Sequence, residues 1–271
     1  MHSLWVNKTD LTSAQWQQSD TPELQEGQIL LEVEKYALTA NNITYAVIGN
    51  EFGYWNFFPT GDAAWGIVPV WGYARVVASQ HADIAVGERI YGYLPMASHL
   101  LVTPGHVSEA GFIDSAAHRK ALAIIYNQYN RLGSAAGQGE DERALYQPLF
   151  TTSFLIEDVM HQADWHGAQA ILLTSASSKT ALALALVTKN LSPQIKRIGL
   201  TSPGNVAFVS ETGLYDEVLT YDHLDSLDAT QPIVSVDFAG NSKLLAAIHG
   251  QWQDNLKFSL LVGLTHIEAR K

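Results

Sequence analysis

The sequence contains no cysteine, and that absence alone removes disulfides, thiolate nucleophiles and every cysteine-based zinc site. Charge is scarce, at 16% of residues against a typical ~25%. Positive charge is scarcer still: 16 Lys and Arg face 27 Asp and Glu, a net of −11, with no basic run. Such a chain is a poor partner for nucleic acid or an anionic membrane. No apolar run approaches the ~20 residues of a membrane span. Residues 1 to 8 have neither a basic region nor a long apolar one, so no signal peptide is legible. A soluble, cytoplasmic protein is the expectation. No Gly-x-Ser-x-Gly elbow offers a serine nucleophile. His161 and His166 are five apart, off the spacing that puts two rings on one helical face, so no metal site is expected.

What is present is ample hydrophobic material, 47% of 271 residues, enough for about two domains of ordinary size. The first hundred residues read as short strands between turns: 28–37, 71–77 and 88–93, with Ala85-Val86-Gly87-Glu88 as a turn. A small β-barrel or sandwich fits them. Residues 115–129 and 150–162 are helix-compatible, and 133–142 is a small, polar loop that marks the domain boundary. The expected division is 1–145 and 146–271. From Ala168 the rhythm is strand, helix, strand, helix. Strands are expected at 170–174, 197–201, 217–221, 233–238 and 258–263, with helices through 180–187 and 242–252. This alternation predicts a doubly wound parallel sheet, which binds ligands at the carboxyl ends of its strands.

The first strand-to-helix turn is Thr174-Ser175-Ala176-Ser177-Ser178-Lys179-Thr180-Ala181. A dinucleotide fold places Gly-x-Gly-x-x-Gly here so that backbone can approach a diphosphate at the helix N-terminus. The matching positions are Ala176, Ser178 and Ala181, all small and none glycine. Close approach survives, whereas easy access to positive φ does not. Lys179 and the hydroxyls of Ser177, Ser178 and Thr180 add charge and donors; alternatively the serines merely cap the helix. A P-loop is excluded, because its glycine positions would be Leu173 and Ser178. The second strand ends at Thr201-Ser202, with no acid before Glu211, and hydroxyls there suit a 2′-phosphate that a carboxylate would repel.

The order of parts resembles the medium-chain dehydrogenase/reductase superfamily, particularly its zinc-free quinone-oxidoreductase branch. The landmarks are Asn41-Asn42-Ile43-Thr44, the stretch 69–77, Val86-Gly87-Glu88-Arg89-Ile90, the turn 174–181, Asp237-Phe238-Ala239-Gly240 and Val262-Gly263. Within the superfamily the chain most resembles an uncharacterised group with a glycine-poor nucleotide loop, on Tyr54-Trp55-Asn56-Phe57-Phe58-Pro59, Tyr126-Asn127-Gln128-Tyr129 and 175–180.

The resemblance implies an α/β architecture: a β-rich, GroES-like N-terminal domain with a helical extension, followed by a Rossmann-type, dinucleotide-binding C-terminal domain. It also implies NADP as cofactor, held by Thr174, Ser175, Ala176, Ser177, Ser178, Lys179, Thr180, Thr201, Ser202, Val262 and Gly263, and a homodimer. Tyr73 stands where zinc enzymes carry a ligating His, so no zinc is expected. Superfamily members normally continue beyond the strand containing Val262-Gly263, which makes this version either short or truncated.

Hydride transfer needs a polar group near nicotinamide and substrate. Asn41 is that position by resemblance, with Thr44 and Tyr45 as further donors; the alternative is that Asn41-Asn42 only shapes a turn. Five aromatics in eight residues, including Tyr54, Trp55, Phe57 and Phe58, suggest an apolar pocket for an aromatic or quinone-like substrate; core packing or a dimer contact is the competing reading. Tyr126 to Arg131 reads as a helix, either one whose polar groups reach the cleft or, the preferred reading, a capped surface helix. Two functions follow: a zinc-free NADP-dependent oxidoreductase acting on a carbonyl or activated alkene, or a non-catalytic relative kept for binding or scaffolding.

Overall fold

The computed structural model describes residues 1–262. The chain divides into two compact units, Met1–Leu145 and Tyr146–Lys271.

The first unit is built from antiparallel strands: β1 (His2–Asn7), β2 (Ala14–Gln18), β3 (Ile29–Ala37), β4 (Trp65–Gly66), β5 (Pro69–Ser79), β6 (Arg89–Pro95), β7 (His99–Val102), β8 (Pro104–Gly105), β9 (Gly111–Asp114) and β10 (Gln128–Leu132). They form a three-stranded sheet, β2-β1-β4, and a barrel-like seven-stranded sheet, β7-β3-β5-β6-β10-β9-β8. Helix α1 (Ala40–Val47) follows β3. The sequence pattern explains the core. β3 opens with Ile29-Leu30-Leu31, all buried, and then alternates in exposure, while β6 is buried along its whole length. Leu31, Val70, Val76, Ile90, Leu94 and Val102 fill the space the large sheet encloses.

The stretch 115–129 is not a helix. It holds two single 3-10 turns, Ala117–Arg119 and Ile124–Tyr126, and then enters β10. The reason is a buried charge. Arg119 and Asp114, each 1% exposed at the side chain, pair at 3.0 Å. The Arg119 guanidinium also donates to Asn127 Oδ1 and Tyr129 Oη and lies over the rings of Phe57 and Phe58. A continuous helix through this stretch would break that set, and it would gain little, because Ile124 and Ile125 stay exposed.

Helix α2 (Glu140–Gln162) starts ten residues before the apolar pattern suggests. Glu140, Asp141 and Glu142 form its first turn, where carboxylates favour the positive end of the helix dipole. The second unit continues with β11 (Ala170–Leu173), α3 (Lys179–Leu191), β12 (Lys196–Thr201), α4 (Val206–Glu211), β13 (Glu217–Thr220), β14 (Ile233–Asp237), α5 (Ser242–Trp252) and β15 (Leu256–Leu261). The five strands are all parallel, in the order β13-β12-β11-β14-β15. The direction of winding therefore reverses at β11, between β12 and β14. Alternate residues of β11 enter opposite cores: Ile171 and Leu173 meet Met160, Trp165 and Leu184, while Ala170 and Leu172 meet Ile248 and Trp252. A strand covered on both faces has no polar side, which is why this segment reads as a continuous apolar run. No helix among the described residues is long and apolar enough to cross a membrane.

Candidate functional site

In a doubly wound sheet the ligand crevice lies at the carboxyl ends of the strands where the winding reverses. Here that place is the turn from β11 into α3. The Thr174 hydroxyl makes a short hydrogen bond to Asp237 Oδ1 and accepts from the amides of Phe238 and Ala239. Asp237 in turn accepts from the Ala239 and Gly240 amides at 3.0 and 2.9 Å. The ends of β11 and β14 are thus tied together at the reversal. Thr174 is fully buried, a strut beneath the turn.

Ser175 has φ +47°, a left-handed backbone that glycine would adopt freely. Its amide donates to the Tyr221 hydroxyl at 3.1 Å, and its carbonyl accepts from the Ser178 amide at 2.7 Å. Ala176 is buried; its amide donates to Leu200 O at 3.0 Å and its carbonyl accepts from the Tyr215 hydroxyl at 2.9 Å. Gly199 on β12 makes this approach feasible, since a Cβ there would lie 2.9 Å from both Ala176 and Tyr215. Ser178 is the N-cap of α3 and accepts from the Ala181 amide, so this serine does cap the helix. Asn205 donates to both Ser177 Oγ and Ser202 Oγ at 3.1 Å, joining the turn to the exposed residue that follows β12. Ser153 of α2 donates to Thr180 O.

The amides of Ser177, Lys179 and Thr180 remain without a partner among the described residues, two of them in the first turn of α3. The Lys179 side chain is exposed and forms no ion pair among those residues. The turn therefore gathers three amides without a partner among the described residues, the half-buried hydroxyls of Ser177 and Thr180 and the exposed Lys179 ammonium at a helix N-terminus, the arrangement that suits an anion. Thr201 is buried at the end of β12, so of the pair Thr201-Ser202 only Ser202 is exposed. Val262 donates its amide to Asp237 O; Gly263 lies outside the described residues.

In the first unit, Asn41, Thr44 and Tyr45 share one face of α1 by their i, i+3, i+4 spacing. The neighbouring Asn42 is the structural member of the pair. Its Oδ1 accepts from the Thr39 amide at 2.6 Å and its Nδ2 donates to Pro69 O at 2.8 Å. The Asn41-Asn42 pair thus belongs to a helical first turn rather than to a loop. Asn41 and Thr44 are half-buried.

Tyr45 enters an aromatic cluster with Tyr54, Phe57, Phe58, Trp71, Tyr93 and Tyr126. Its hydroxyl accepts from Trp71 Nε1 at 3.2 Å, and the Tyr54 and Tyr126 hydroxyls are 3.2 Å apart. Burial holds the Tyr45, Tyr93 and Tyr126 hydroxyls well above the ordinary phenol range, so each stays a neutral donor. Phe57 and Phe58 are buried in this cluster, and Trp55 belongs to a different one with Val6, Ala46 and Val68. For these three the structure shows core packing; only Tyr54 of the four is half-buried.

Tyr215 and Tyr221 carry no motif, and Tyr126, though part of the Tyr126-Asn127-Gln128-Tyr129 stretch, reads from the sequence as the start of a surface helix. Nothing in the sequence marks their pairings, which join residues 39 to 72 positions apart. His161 lies 3.1 Å from Ser192 Oγ, whereas the ring of His166 stacks on Phe258. No three His, Cys, Asp or Glu side chains among the described residues are grouped to hold a metal ion. Tyr73 is buried and donates to Glu140 O.

A family model described as "Protein of unknown function (DUF2855)" matches residues 36–271. The chain belongs to this family. No curated protein matches it in sequence. Its fold is shared by CurA from Vibrio vulnificus in complex with NADPH, at TM-score 0.68 and 14% identity, over 100% of this chain and 74% of that one. The quinone oxidoreductase from Thermus thermophilus, also solved in complex with NADPH, gives TM-score 0.56 and 15% identity over 100% and 83%. The human synaptic vesicle membrane protein VAT-1 homolog-like protein gives 0.55 and 12% over 100% and 80%. The chain therefore has the medium-chain dehydrogenase/reductase fold, a GroES-like β-rich unit followed by a Rossmann-type unit.

Proposed function

We propose that this chain is an NADP-dependent, zinc-independent oxidoreductase that delivers hydride to a carbonyl or activated-alkene substrate of apolar or aromatic character. The observation that supports the reading most is the β11–α3 turn, whose three amides without a partner among the described residues and exposed Lys179 stand at the reversal point of a Rossmann-type sheet. CurA, of the same fold, has been crystallised with NADPH. The residues fit such a group. Ser177, Lys179 and Thr180 would hold the diphosphate, and Ser202, with no carboxylate beside it, leaves room for a 2′-phosphate. NADPH, when bound, supplies the hydride.

The chain's own contribution is to bind, orient and donate. Asn41 and Thr44 offer half-buried polar groups on α1, and the phenols of Tyr45, Tyr54 and Tyr126 offer hydrogen-bond donors to a substrate oxygen. A non-catalytic binding protein is the second reading. One observation favours it: the amides of Ser175, Ala176 and Ser178 are already engaged within the protein.

Titration of the full-length chain with NADPH and NADH, followed by thermal shift and nucleotide fluorescence, separates the two. NADPH at a hundredfold excess over Kd should stabilise by about 2.7 kcal/mol through mass action, with NADH weaker. Lys179→Ala should weaken NADPH binding roughly 5- to 20-fold, the scale of one charge-assisted contact. Silence toward both dinucleotides would retire the enzyme reading.

A further inference from the structure

The nucleotide turn lacks glycine where related turns rely on it, yet Ser175 sits at φ +47°. A side chain raises the energy of that conformation, so something outside the residue must hold it. The structure shows what does. The Tyr221 hydroxyl, from just past β13, takes the Ser175 amide at 3.1 Å and lies 3.5 Å from Ser175 Oγ. The Tyr215 hydroxyl, from just before β13, donates to the next carbonyl, Ala176 O, at 2.9 Å. Gly199 supplies the space in which Tyr215 and Ala176 meet. Two hydroxyls from one edge of the sheet therefore grip two consecutive residues of the turn.

We propose that Tyr215 and Tyr221 are positioning residues for nucleotide binding: their hydroxyls hold Ser175-Ala176 in the left-handed bend that leaves the Ser177, Lys179 and Thr180 amides free to face an anion. Neither tyrosine need touch the nucleotide. The inference rests on the reading that this turn binds NADPH, but the claim about the bend can be tested without any nucleotide.

The test uses Tyr221→Phe, Tyr215→Phe and each combined with Ser175→Gly, in the full-length chain. Amide hydrogen exchange of the nucleotide-free proteins reads the turn, and NADPH fluorescence titration reads its competence. In each Phe variant, exchange over residues 174–181 should quicken about 3- to 10-fold while β11 and β14 keep their protection. NADPH affinity should fall by a similar factor. Ser175→Gly should return the Tyr221→Phe protein to within about twofold of wild type in both readouts, because glycine holds the bend unaided.

Unchanged exchange over 174–181 in both Phe variants would overturn the proposal. So would loss of protection throughout the sheet, which would mark the tyrosines as ordinary core. If affinity falls in Tyr221→Phe and Ser175→Gly restores exchange but not affinity, the hydroxyl acts on the nucleotide itself and the positioning role is overturned. If wild type binds neither NADPH nor NADH, the nucleotide reading fails, and the exchange data alone decide the claim about the bend.

Discussion

Tyr54 and Trp55 are adjacent, yet the fold gives them unrelated tasks. Tyr54 lies in a 3-10 turn with its hydroxyl near that of Tyr126, whereas Trp55 is 3% exposed and wedged between two glycines. A Cβ at Gly49 or Gly66 would lie far inside van der Waals contact of the Trp55 indole. Both glycines are therefore there for space, not for conformation, since neither has positive φ. Gly49→Ala or Gly66→Ala should cost about 1–3 kcal/mol by overpacking. Urea unfolding monitored by tryptophan fluorescence would show it as a lower midpoint; an unchanged midpoint would mean the indole has room to shift. An aromatic cluster is legible at 52–58, but which ring is structural is not. That depends on Gly66, eleven residues from Trp55, and on Tyr126, seventy-two from Tyr54.

Among elements, the start of α2 turns on charge. Glu140 receives a bidentate contact from Arg89 at 2.5 and 3.1 Å, and Arg89, 3% exposed, also reaches Glu34 at 2.7 Å. Lys35 adds a contact of 3.0 Å to Glu140. The sequence places residues 133–142 in a loop because they are small and polar, and nothing local reveals that the first turn of a helix will be anchored by a residue 51 positions away. The stretch 115–129 departs from its helical spacing for the same reason, a buried Arg119–Asp114 pair that overrides apolar periodicity.

The Arg89 guanidinium pulls the Glu140 carboxyl from 4.5 down to about 2. A depressed carboxyl contributes stability above its unfolded pKa of ~4.3 and loses it as pH falls toward the folded value. Stability should thus decline between about pH 5 and pH 2. Glu140→Gln should cost about 2–4 kcal/mol at pH 7, leaving Arg89 buried with less compensation, and should flatten the decline. Denaturant titrations at pH 7, 4 and 3 check this; an equally steep decline in the variant would assign the acid sensitivity elsewhere.

At the scale of the whole molecule the architecture was the most legible part, because alternation of apolar strands and helices is a local pattern repeated along the second unit. Of the candidate site, residues 174–181 and Ser202 are singled out by spacing along the sequence, while the Thr174–Asp237 strut and the contacts of Tyr215 and Tyr221 with the turn are products of strand order. Charge belongs to this scale as well. The net of −11 opposes the approach of an anionic dinucleotide, yet the β11–α3 turn proposed to bind it carries a single charged side chain, Lys179. These two fields have different ranges. At 0.1 M salt the Debye length is about 10 Å, so added salt removes the repulsion of distant acids before it removes a contact-range attraction. On the proposed function, the association rate of NADPH, measured by stopped flow, should therefore rise as ionic strength goes from about 0.02 to 0.2 M, while dissociation, which that reading assigns to a contact with Lys179, quickens modestly. In Lys179→Ala the association rate should keep its rise and the dissociation rate should lose its salt dependence. An association rate that falls with salt in wild type would show instead that the field at the mouth of the turn is positive at long range, which the sparse charge around residues 174–181 and 201–205 does not provide.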